Sequence, residues 1–373
     1  MQSSRQYDGE IQFLSNMERR DFLKVAALSG AAIAVPGIDA VAGRRDGVRQ
    51  EPGMQDKPVT DFRFRPDGKF KILQFTDTHY VAGDKRSERA MANVLQMLDV
   101  EKPDLVIHTG DIIFGNPAEK SAREILQPIA DRGIPFAVAL GNHDSDFELS
   151  RAEIYDVIRS VPGNINTPAR DGLYGFSNDV ITLSSAKGVE RVFYLFDSGS
   201  YIDYRGEKGY DYIRHSQIGW YREHSEAFKK SNGGSPIPSM AFFHIAVREF
   251  TDGIRSDSRD IVGTSCENPC PSNYNSGLVA NFKEMGDVEA VVCGHDHDND
   301  YVMKYGDMFY IFGRFSGCDT VYNNVGPSGA RIFEFTESEE GFRTYIRKYG
   351  SDFEQDLSLH RGMSHLLGDQ EKF

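Results

Sequence analysis

The chain has 373 residues and a formal charge of −14 at pH 7, from 56 acidic and 42 basic residues. Because Lys and Arg are few and scattered, a nucleic-acid clamp held by bulk charge is excluded. Hydrophobic residues make up 39% of the chain, enough for a core, which excludes disorder over the whole length. No apolar run reaches the roughly 18 residues that span a bilayer, so we expect no stable membrane anchor.

Residues 1–42 predict an export signal. Arg19 and Arg20 precede a short apolar stretch, Val25–Val35, and Ala40-Val41-Ala42 offers a small-residue cleavage site. The pattern resembles a twin-arginine signal, with Met17 standing where such a signal would begin. We therefore expect export by the twin-arginine translocation machinery and a periplasmic or secreted protein. The alternative is an N-terminal helix with a chance Arg-Arg pair.

Three further segments follow from composition. Residues 43–60 are polar and rich in Gly, Arg and Pro, which predicts a tether. Residues 61–350 predict one domain, and residues 351–373 a polar C-terminal tail. Near the start of the domain, Pro66-Asp67-Gly68 lies between two apolar segments and predicts the turn of a β-hairpin.

Strand-like and helix-like patterns alternate through the domain. Helices are predicted by the spacing of Met91, Val94, Leu95 and Leu98, by the capping box Ser150-x-x-Glu153, and over Ser216–Lys230. Strands are predicted where apolar runs end at Phe75, Ile107, Leu140, Phe196, Phe243 and Cys293, and at Met308–Phe312, Arg331–Phe335 and Phe342–Ile346. Alternation followed by consecutive strands predicts an α/β sandwich whose sheets continue into an antiparallel part.

Polar side chains follow five of these strands directly. Carboxyl ends of strands in open α/β sheets form the ligand-binding crevice, so we expect these residues to converge. Carboxylates and imidazoles suit Zn²⁺, Mn²⁺ or iron, and their number exceeds the needs of one ion. A centre of two metals about 3.5–4 Å apart needs a bridging carboxylate and ligands on either side. The residues are Asp77, His79, Asp111, Asn142, His143, Asp144, His244, His295 and His297.

The motifs D-x-H, G-D, G-N-H-D, a lone His after a strand, and G-H-x-H resemble those of the calcineurin-like metallophosphoesterases, in the same order over residues 69–300. The resemblance implies a four-layer α/β/β/α sandwich of two mixed β-sheets flanked by helices, with 61–350 as the metallophosphoesterase domain. It also implies two divalent or trivalent ions, Fe, Mn or Zn. Asp77, His79 and His297 would bind the first ion, Asn142, His244 and His295 the second, and Asp111 would bridge both. His143 would protonate the leaving group, with Asp144 orienting it.

Longer stretches are similar to the short purple-acid-phosphatase-like proteins, among them Phe196-Asp-Ser-Gly and Phe242-Phe-His-Ile. The purple enzymes have a tyrosine three residues after the bridging aspartate, where this chain has Phe114. Without a tyrosinate ligand, we expect the enzyme to be colourless, and a visible absorption band from the metal-loaded protein would contradict this.

The resemblance implies hydrolysis of phosphate esters, in which a metal-bridging hydroxide attacks phosphorus and His143 acts as general acid. We expect a phosphomonoesterase. The alternatives are a phosphodiesterase acting on nucleotides or phospholipid head groups, and a non-catalytic binding scaffold. A redox enzyme has little support because cofactor motifs are absent. Residues next to the motifs that could line the substrate pocket are Tyr80, Asn116, Arg248 and Asn299.

The four cysteines are too few for a disulfide scaffold. Cys266 and Cys270 could form a disulfide in an oxidising compartment or half of a zinc site, and the sequence leaves both open.

Overall fold

The computed structural model describes residues 59–257 and 260–367. The predicted signal at 1–42 and nearly all of the predicted tether at 43–60 lie outside the described residues. Within the described part, none of the helices combines the length and apolarity required to cross a membrane.

Sixteen strands and six α-helices make up the described chain. The helices are α1 (Glu88–Glu101), α2 (Ala118–Asp131), α3 (Arg151–Arg159), α4 (His215–Ser231), α5 (Arg248–Arg255) and α6 (Leu278–Met285). The first eight strands are β1 (Thr60–Arg63), β2 (Lys69–Phe75), β3 (Leu105–His108), β4 (Phe136–Val138), β5 (Asp179–Ser185), β6 (Gly188–Leu195), β7 (Tyr201–Tyr204) and β8 (Glu207–Tyr210). The others are β9 (Ser239–Phe242), β10 (Asp260–Val262), β11 (Val288–Cys293), β12 (Val302–Tyr305), β13 (Met308–Phe312), β14 (Gly329–Thr336), β15 (Phe342–Lys348) and β16 (Phe353–Leu359).

Two large mixed sheets and one hairpin arrange these strands. The first sheet has the order β1-β5-β6-β9-β11-β13-β12-β10, the second the order β16-β15-β14-β2-β3-β4, and β7-β8 stand apart. In the second sheet β2, β3 and β4 are parallel, whereas β14, β15 and β16 continue it antiparallel. The predicted change from parallel to antiparallel pairing is therefore confirmed.

Three apolar cores hold the layers together. Alternate residues of β2 face opposite ways, so Leu73 packs with the helix residues Leu98 and Ile125, while Ile72 packs with Phe193 of the first sheet. On the outer face of the first sheet, Tyr221 of α4 belongs to a third core with strand residues of that sheet. The order helix, sheet, sheet, helix confirms the four-layer α/β/β/α sandwich.

Two sequence expectations about the ends of the domain are wrong. The turn at Pro66–Gly68 exists, but it carries the chain from one sheet to the other: β1 pairs with β5, and β2 pairs with β3 and β14. The segment 351–373 is not wholly a polar tail, because β16 pairs with β15 and buries Leu357 and Leu359 between the sheets. The folded domain therefore extends past residue 350.

The predicted helices are confirmed, including the capping box in which Ser150 and Glu153 exchange hydrogen bonds at the start of α3.

Most important for function, β2, β3 and β4 run parallel in one sheet, and β9 and β11 run parallel in the other. The carboxyl ends of these five strands deliver the polar residues singled out above.

We predict that Leu357→Ala lowers the free energy of unfolding by about 2–5 kcal/mol, because it removes a buried side chain from the core between the sheets. Asp356→Asn is the matched control, since the neighbouring carboxylate is exposed and pairs with Arg343 at the surface, and its loss should cost at most about 1 kcal/mol. Denaturant unfolding measures both. Equal effects would contradict the placement of β16 in the core.

Candidate metal centre

All seven residues predicted as metal ligands are buried and meet at the strand ends. Six of them form two groups of three, and the potential ligand atoms within each group lie within 4.8 Å of one another. The first group is Asp77, His79 and His297, and the second is Asp111, His244 and His295. Such spans allow three atoms to reach one ion at the usual ligand distance of about 2.0–2.3 Å.

In the first group, the Nε2 atoms of His79 and His297 lie 3.1 Å apart. Asp77 Oδ1 lies 3.6 Å from the His297 Nε2 atom. Hydrogen bonds outside the group fix these rings and carboxylates: His297 Nδ1 bonds to the carbonyl of Tyr322 at 2.9 Å, and the Thr76 hydroxyl donates to Asp77 Oδ2 at 2.6 Å. The His297 Nε2 atom is thereby directed into the cluster.

In the second group, His244 Nε2 faces Asp111 Oδ2 at 3.2 Å, Asn142 Oδ1 at 3.0 Å and His295 Nδ1 at 3.3 Å. His244 Nδ1 bonds to the Thr109 carbonyl at 2.7 Å, which fixes the ring with Nε2 inward. The structure thus adds Asn142 to the three residues of this group.

Asp111 lies between the two groups. Its Oδ2 atom lies 3.2 Å from His244 Nε2 and 3.6 Å from His79 Nε2, so the carboxylate stands between the two sets of imidazoles. This is the place that the sequence assigned to a bridging carboxylate.

The electrostatics of the cluster favour bound cations. Burial would raise the pKa of Asp111, but the His244 imidazole holds it well below its ordinary value. Burial works against the charge on His244, yet Asp111 raises the pKa of that imidazole to about 9. Burial also lowers the pKa of His79 and His295 and raises that of Asp77. Burial thus favours the neutral, metal-binding form of His79 and His295 beside buried carboxylates, and cations would compensate the charge of those carboxylates.

Backbone strain is concentrated at the same place. Eight described non-glycine residues have a positive φ, and four of them are predicted ligands: Asp77 at 54°, His79 at 45°, Asp111 at 52° and His295 at 80°. Each such residue costs on the order of 1–3 kcal/mol and persists only where its surroundings impose it, which happens mostly at functional sites.

Close backbone approach explains two glycines of the motifs. A Cβ atom on Gly141 would overlap the Asp111 carboxylate, and one on Gly294 would overlap the Thr76 hydroxyl beside Asp77. Glycine therefore lets the two loops come near enough for their ligands to converge.

His143 lies at the mouth of the cluster, in a single 3₁₀ turn formed by His143–Ser145. The sequence assigned its orientation to Asp144, and this is wrong. In a 3₁₀ turn, positions i and i+3 share a side, so Asp146 is the carboxylate beside the ring, with Oδ2 at 2.6 Å from His143 Nδ1. Tyr201 completes the contact, since its hydroxyl donates to Asp146 Oδ2 at 3.2 Å.

Asp144 instead points inward and holds the loops of two motifs together. Its carboxylate accepts backbone N–H bonds from Asp111 at 3.1 Å, Ile112 at 2.7 Å and Gly141 at 2.7 Å. It is therefore a structural residue of the site.

Asp197, which follows β6 two residues after the strand ends, anchors the same region. Its carboxylate accepts from Arg151 Nη2 at 2.5 Å, and Arg151 Nη1 donates to the Gly141 carbonyl at 2.7 Å. Burial opposes the charge on Asp197, but the Arg151 guanidinium keeps the pKa of the carboxyl below its ordinary value. This pair, of a buried carboxylate and a partly buried guanidinium, ties the loop of Asn142 and His143 to the first sheet.

Three of the four residues proposed for the substrate pocket hydrogen-bond to neighbouring segments of the fold, and their role toward a substrate stays a prediction. The Tyr80 hydroxyl donates to Glu124 Oε2 at 3.1 Å, Asn116 Oδ1 accepts from the Glu148 N–H at 3.2 Å, and Asn299 Oδ1 accepts from the Cys266 N–H at 3.1 Å. Arg248 begins α5 and lines a narrow cleft with Tyr274 and Asn275, where its role stays a prediction.

The structure also tests what the sequence predicted for His108 and for the cysteines Cys266 and Cys270. His108 is buried, its pKa is lowered by burial to about 3, and its Nδ1 atom accepts from the Gly110 N–H, so it is a structural histidine as expected. Cys266 and Cys270 are exposed and free, without the disulfide that the sequence left open.

Phe114 occupies the position of the purple-enzyme tyrosine. Its ring lies 5.1 Å from that of His79 and 4.9 Å from that of His143. An aromatic ring at this place reaches the cluster but carries no oxygen to bind iron, which supports the expectation of a colourless protein. The colour itself stays a prediction.

Sequence reasoning missed Asp146, Tyr201, Tyr210 and Tyr322. Tyr322 stacks on His297 with ring centroids 4.4 Å apart, and Tyr210 meets His295 at 4.3 Å. Only Asp146 had a readable signal, its spacing of three from His143. The tyrosines lie far from the motifs along the chain.

A layered sandwich of two sheets, with a cluster of carboxylates and imidazoles at the ends of five strands, defines a metallophosphoesterase. The family model described as calcineurin-like phosphoesterase matches residues 70–299. The chain belongs to the calcineurin-like phosphoesterase family, and it is a phosphoric ester hydrolase.

Similarity to individual proteins supports this family assignment. Probable inactive purple acid phosphatase 29 of Arabidopsis thaliana is 31% identical, over 84% of this chain and 85% of that protein. Phosphatase DCR2 of Saccharomyces cerevisiae is 28% identical, over 76% of this chain and 54% of that protein. A dimetal phosphatase from Danio rerio has the same fold, with a TM-score of 0.55 at 13% identity, covering 79% of this chain and 99% of that one. The resemblance to purple-acid-phosphatase-like proteins is therefore confirmed.

We predict opposite outcomes for two neighbouring carboxylates. Asp146→Asn should lower kcat about 10- to 100-fold with unchanged thermal stability, because it weakens the bond that positions His143. Asp144→Asn should lower the thermal midpoint, because an amide NH₂ group would face backbone N–H donors. Steady-state kinetics and calorimetry measure the two effects. If Asp144→Asn kept full stability while losing turnover, Asp144 would be the positioning residue after all.

Proposed function

We propose that the protein is a phosphomonoesterase that uses two metal ions and His143 as general acid. The observation that carries this proposal is the completeness of the site. All seven ligand positions are filled and buried around Asp111, and His143 stands partly exposed at the mouth with a carboxylate on its Nδ1 atom. A binding scaffold would need none of this convergence, so catalysis is favoured over the scaffold.

Asp77, His79 and His297 would hold one ion, Asn142, His244 and His295 the other, and Asp111 both. Bound there, the cations would supply an activated water near neutral pH and would neutralise charge on the phosphoryl oxygens. Mixed imidazole and carboxylate donors favour Fe, Mn or Zn over Mg.

His143 contributes the proton that the leaving group needs. Its Nδ1 atom is held by Asp146 at 2.6 Å, so Nε2 is the atom that remains to donate to the departing oxygen. Tyr201 and Asp146 keep the ring in place, and the Arg151–Asp197 pair keeps its loop in place. Positioning of this kind lowers the barrier because the donor needs no rearrangement during the reaction.

The nearest alternative is a phosphodiesterase, since the same donor set can accept a diester. Comparison of p-nitrophenyl phosphate with bis-p-nitrophenyl phosphate separates the two functions. A monoesterase hydrolyses the first with the larger kcat/KM.

We also propose that the protein is exported to the periplasm by the twin-arginine route. Support comes from Arg19, Arg20 and the cleavage site at Ala40–Ala42. Replacing both arginines with lysine should retain the precursor in the cytoplasm, as cell fractionation would detect; unchanged export would contradict the proposal.

The division of roles in the site gives a direct test. His143→Gln should lower kcat about 10²- to 10⁴-fold with metal content retained, because only the proton donor is lost. Asp111→Asn should lose metal, because the carboxylate between the two groups is removed. Elemental analysis and turnover of p-nitrophenyl phosphate measure both variants.

His215→Gln is the control for these variants, because His215 is an exposed histidine at the start of α4 and should tolerate the change. If His143→Gln and Asp111→Asn behave alike in metal content, the assignment of roles is wrong. Inactivity of the wild-type protein loaded with Mn²⁺, Zn²⁺ or iron would overturn the proposed function.

A further inference from the structure

The hairpin β7–β8 forms a wall beside the metal cluster. Its register places Tyr201 opposite Tyr210 and Asp203 opposite Lys208, so these four side chains share one face. On that face, the Tyr210 ring meets the His295 ring at 4.3 Å, and the Tyr201 hydroxyl accepts a hydrogen bond from Asn142 Nδ2 at 3.0 Å. The face is therefore directed at the site.

Tyr201 offers an exposed aromatic surface beside the general acid. Its side chain stays 48% exposed although its hydroxyl is hydrogen-bonded within the site. The ring lies 6.4 Å from that of His143 and 5.9 Å from that of Tyr210. A leaving-group oxygen must come within hydrogen-bonding reach of His143, which places the Tyr201 ring among the groups nearest to the rest of the leaving group.

A second aromatic ring and a carboxylate also lie beside His143, in addition to Tyr201. The Phe114 ring lies 4.9 Å from the His143 ring, and Phe147 packs on Phe114 at 5.9 Å. Asp146 adds a carboxylate next to Tyr201. Aromatic faces attract planar rings, whereas the carboxylate repels a leaving group that carries further phosphates.

We propose that the face formed by Tyr201 and Tyr210 is a leaving-group subsite for planar aromatic alcohols, so that aryl and arylmethyl phosphate monoesters are the preferred substrate class. This inference rests on the proposed phosphomonoesterase function. Tyr201 has two separable roles in it: its ring contacts the leaving group, and its hydroxyl positions Asn142 and Asp146.

The test compares benzyl phosphate with cyclohexylmethyl phosphate on the Mn²⁺-loaded protein. Both leaving groups are primary alkoxides of similar size, so the ratio of their kcat/KM values reports recognition of the planar ring. We expect a ratio of about 3 to 10 in favour of benzyl phosphate, the factor that an aromatic pair adds beyond area burial. Tyr201→Leu should bring the ratio close to one.

Two variants separate the ring from the hydroxyl and from the hairpin. Tyr201→Phe should keep the ratio while kcat falls for both esters, since only the hydroxyl is lost. Tyr204→Leu should keep both the ratio and the kcat values. Tyr204 is comparably exposed but lies on the opposite face of the hairpin, against Tyr274.

Equal hydrolysis of the two esters by the wild-type protein, or a ratio unchanged in Tyr201→Leu, would overturn the subsite and leave the phosphomonoesterase function standing. Hydrolysis of neither ester, nor of p-nitrophenyl phosphate, would instead overturn the function and the subsite with it.

Discussion

The structure depends on keeping the Asp111 carboxylate charged where water is excluded. It lies between two sets of imidazoles at the meeting point of both sheets, 3.2 Å from His244 and 3.6 Å from His79. A buried charge of this kind is stable only with compensation, first from His244 and, in the loaded enzyme, from cations. The parallel strands, the close glycine contacts and the unfavourable φ angles all serve to bring partners to this one group.

Such a centre needs a rigid frame, and the frame is made of polar groups that do no chemistry. Asp144 gathers backbone N–H groups from the loops of Asp111 and Gly141, and Arg151 with Asp197 holds the latter loop against the other sheet. Because these contacts are buried or partly buried, they hold the strained ligands in place without touching a substrate. The three apolar cores then fix the sheets that bear the loops.

The sequence predicted the candidate ligands because each lies within a few residues of the end of a buried strand, and a strand end can be recognised without knowledge of distant residues. The sequence analysis failed where the direction of a side chain decides what that side chain contacts. Asp144 and Asp146 differ by two positions, yet the 3₁₀ turn puts only Asp146 beside His143. Alternation of polar residues with Leu357 and Leu359 was a readable strand pattern hidden by the high polarity of the segment. Tyr201 reaches the site because it lies on a hairpin, and no local sequence pattern predicts which part of the fold a hairpin will pack against.

The separation of β7–β8 from both large sheets has a further meaning for how such enzymes diversify. The hairpin contributes none of the seven candidate ligands and shares no strand pairing with the sheets that carry them. The hairpin can therefore be substituted, lengthened or replaced as a unit without disturbing the candidate ligands, apart from the few contacts of Tyr201 and Tyr210. Outside Tyr201 and Tyr210, the proposed leaving-group subsite and the candidate ligands therefore belong to different parts of the chain, so selection or engineering can alter the hairpin while preserving the ligands.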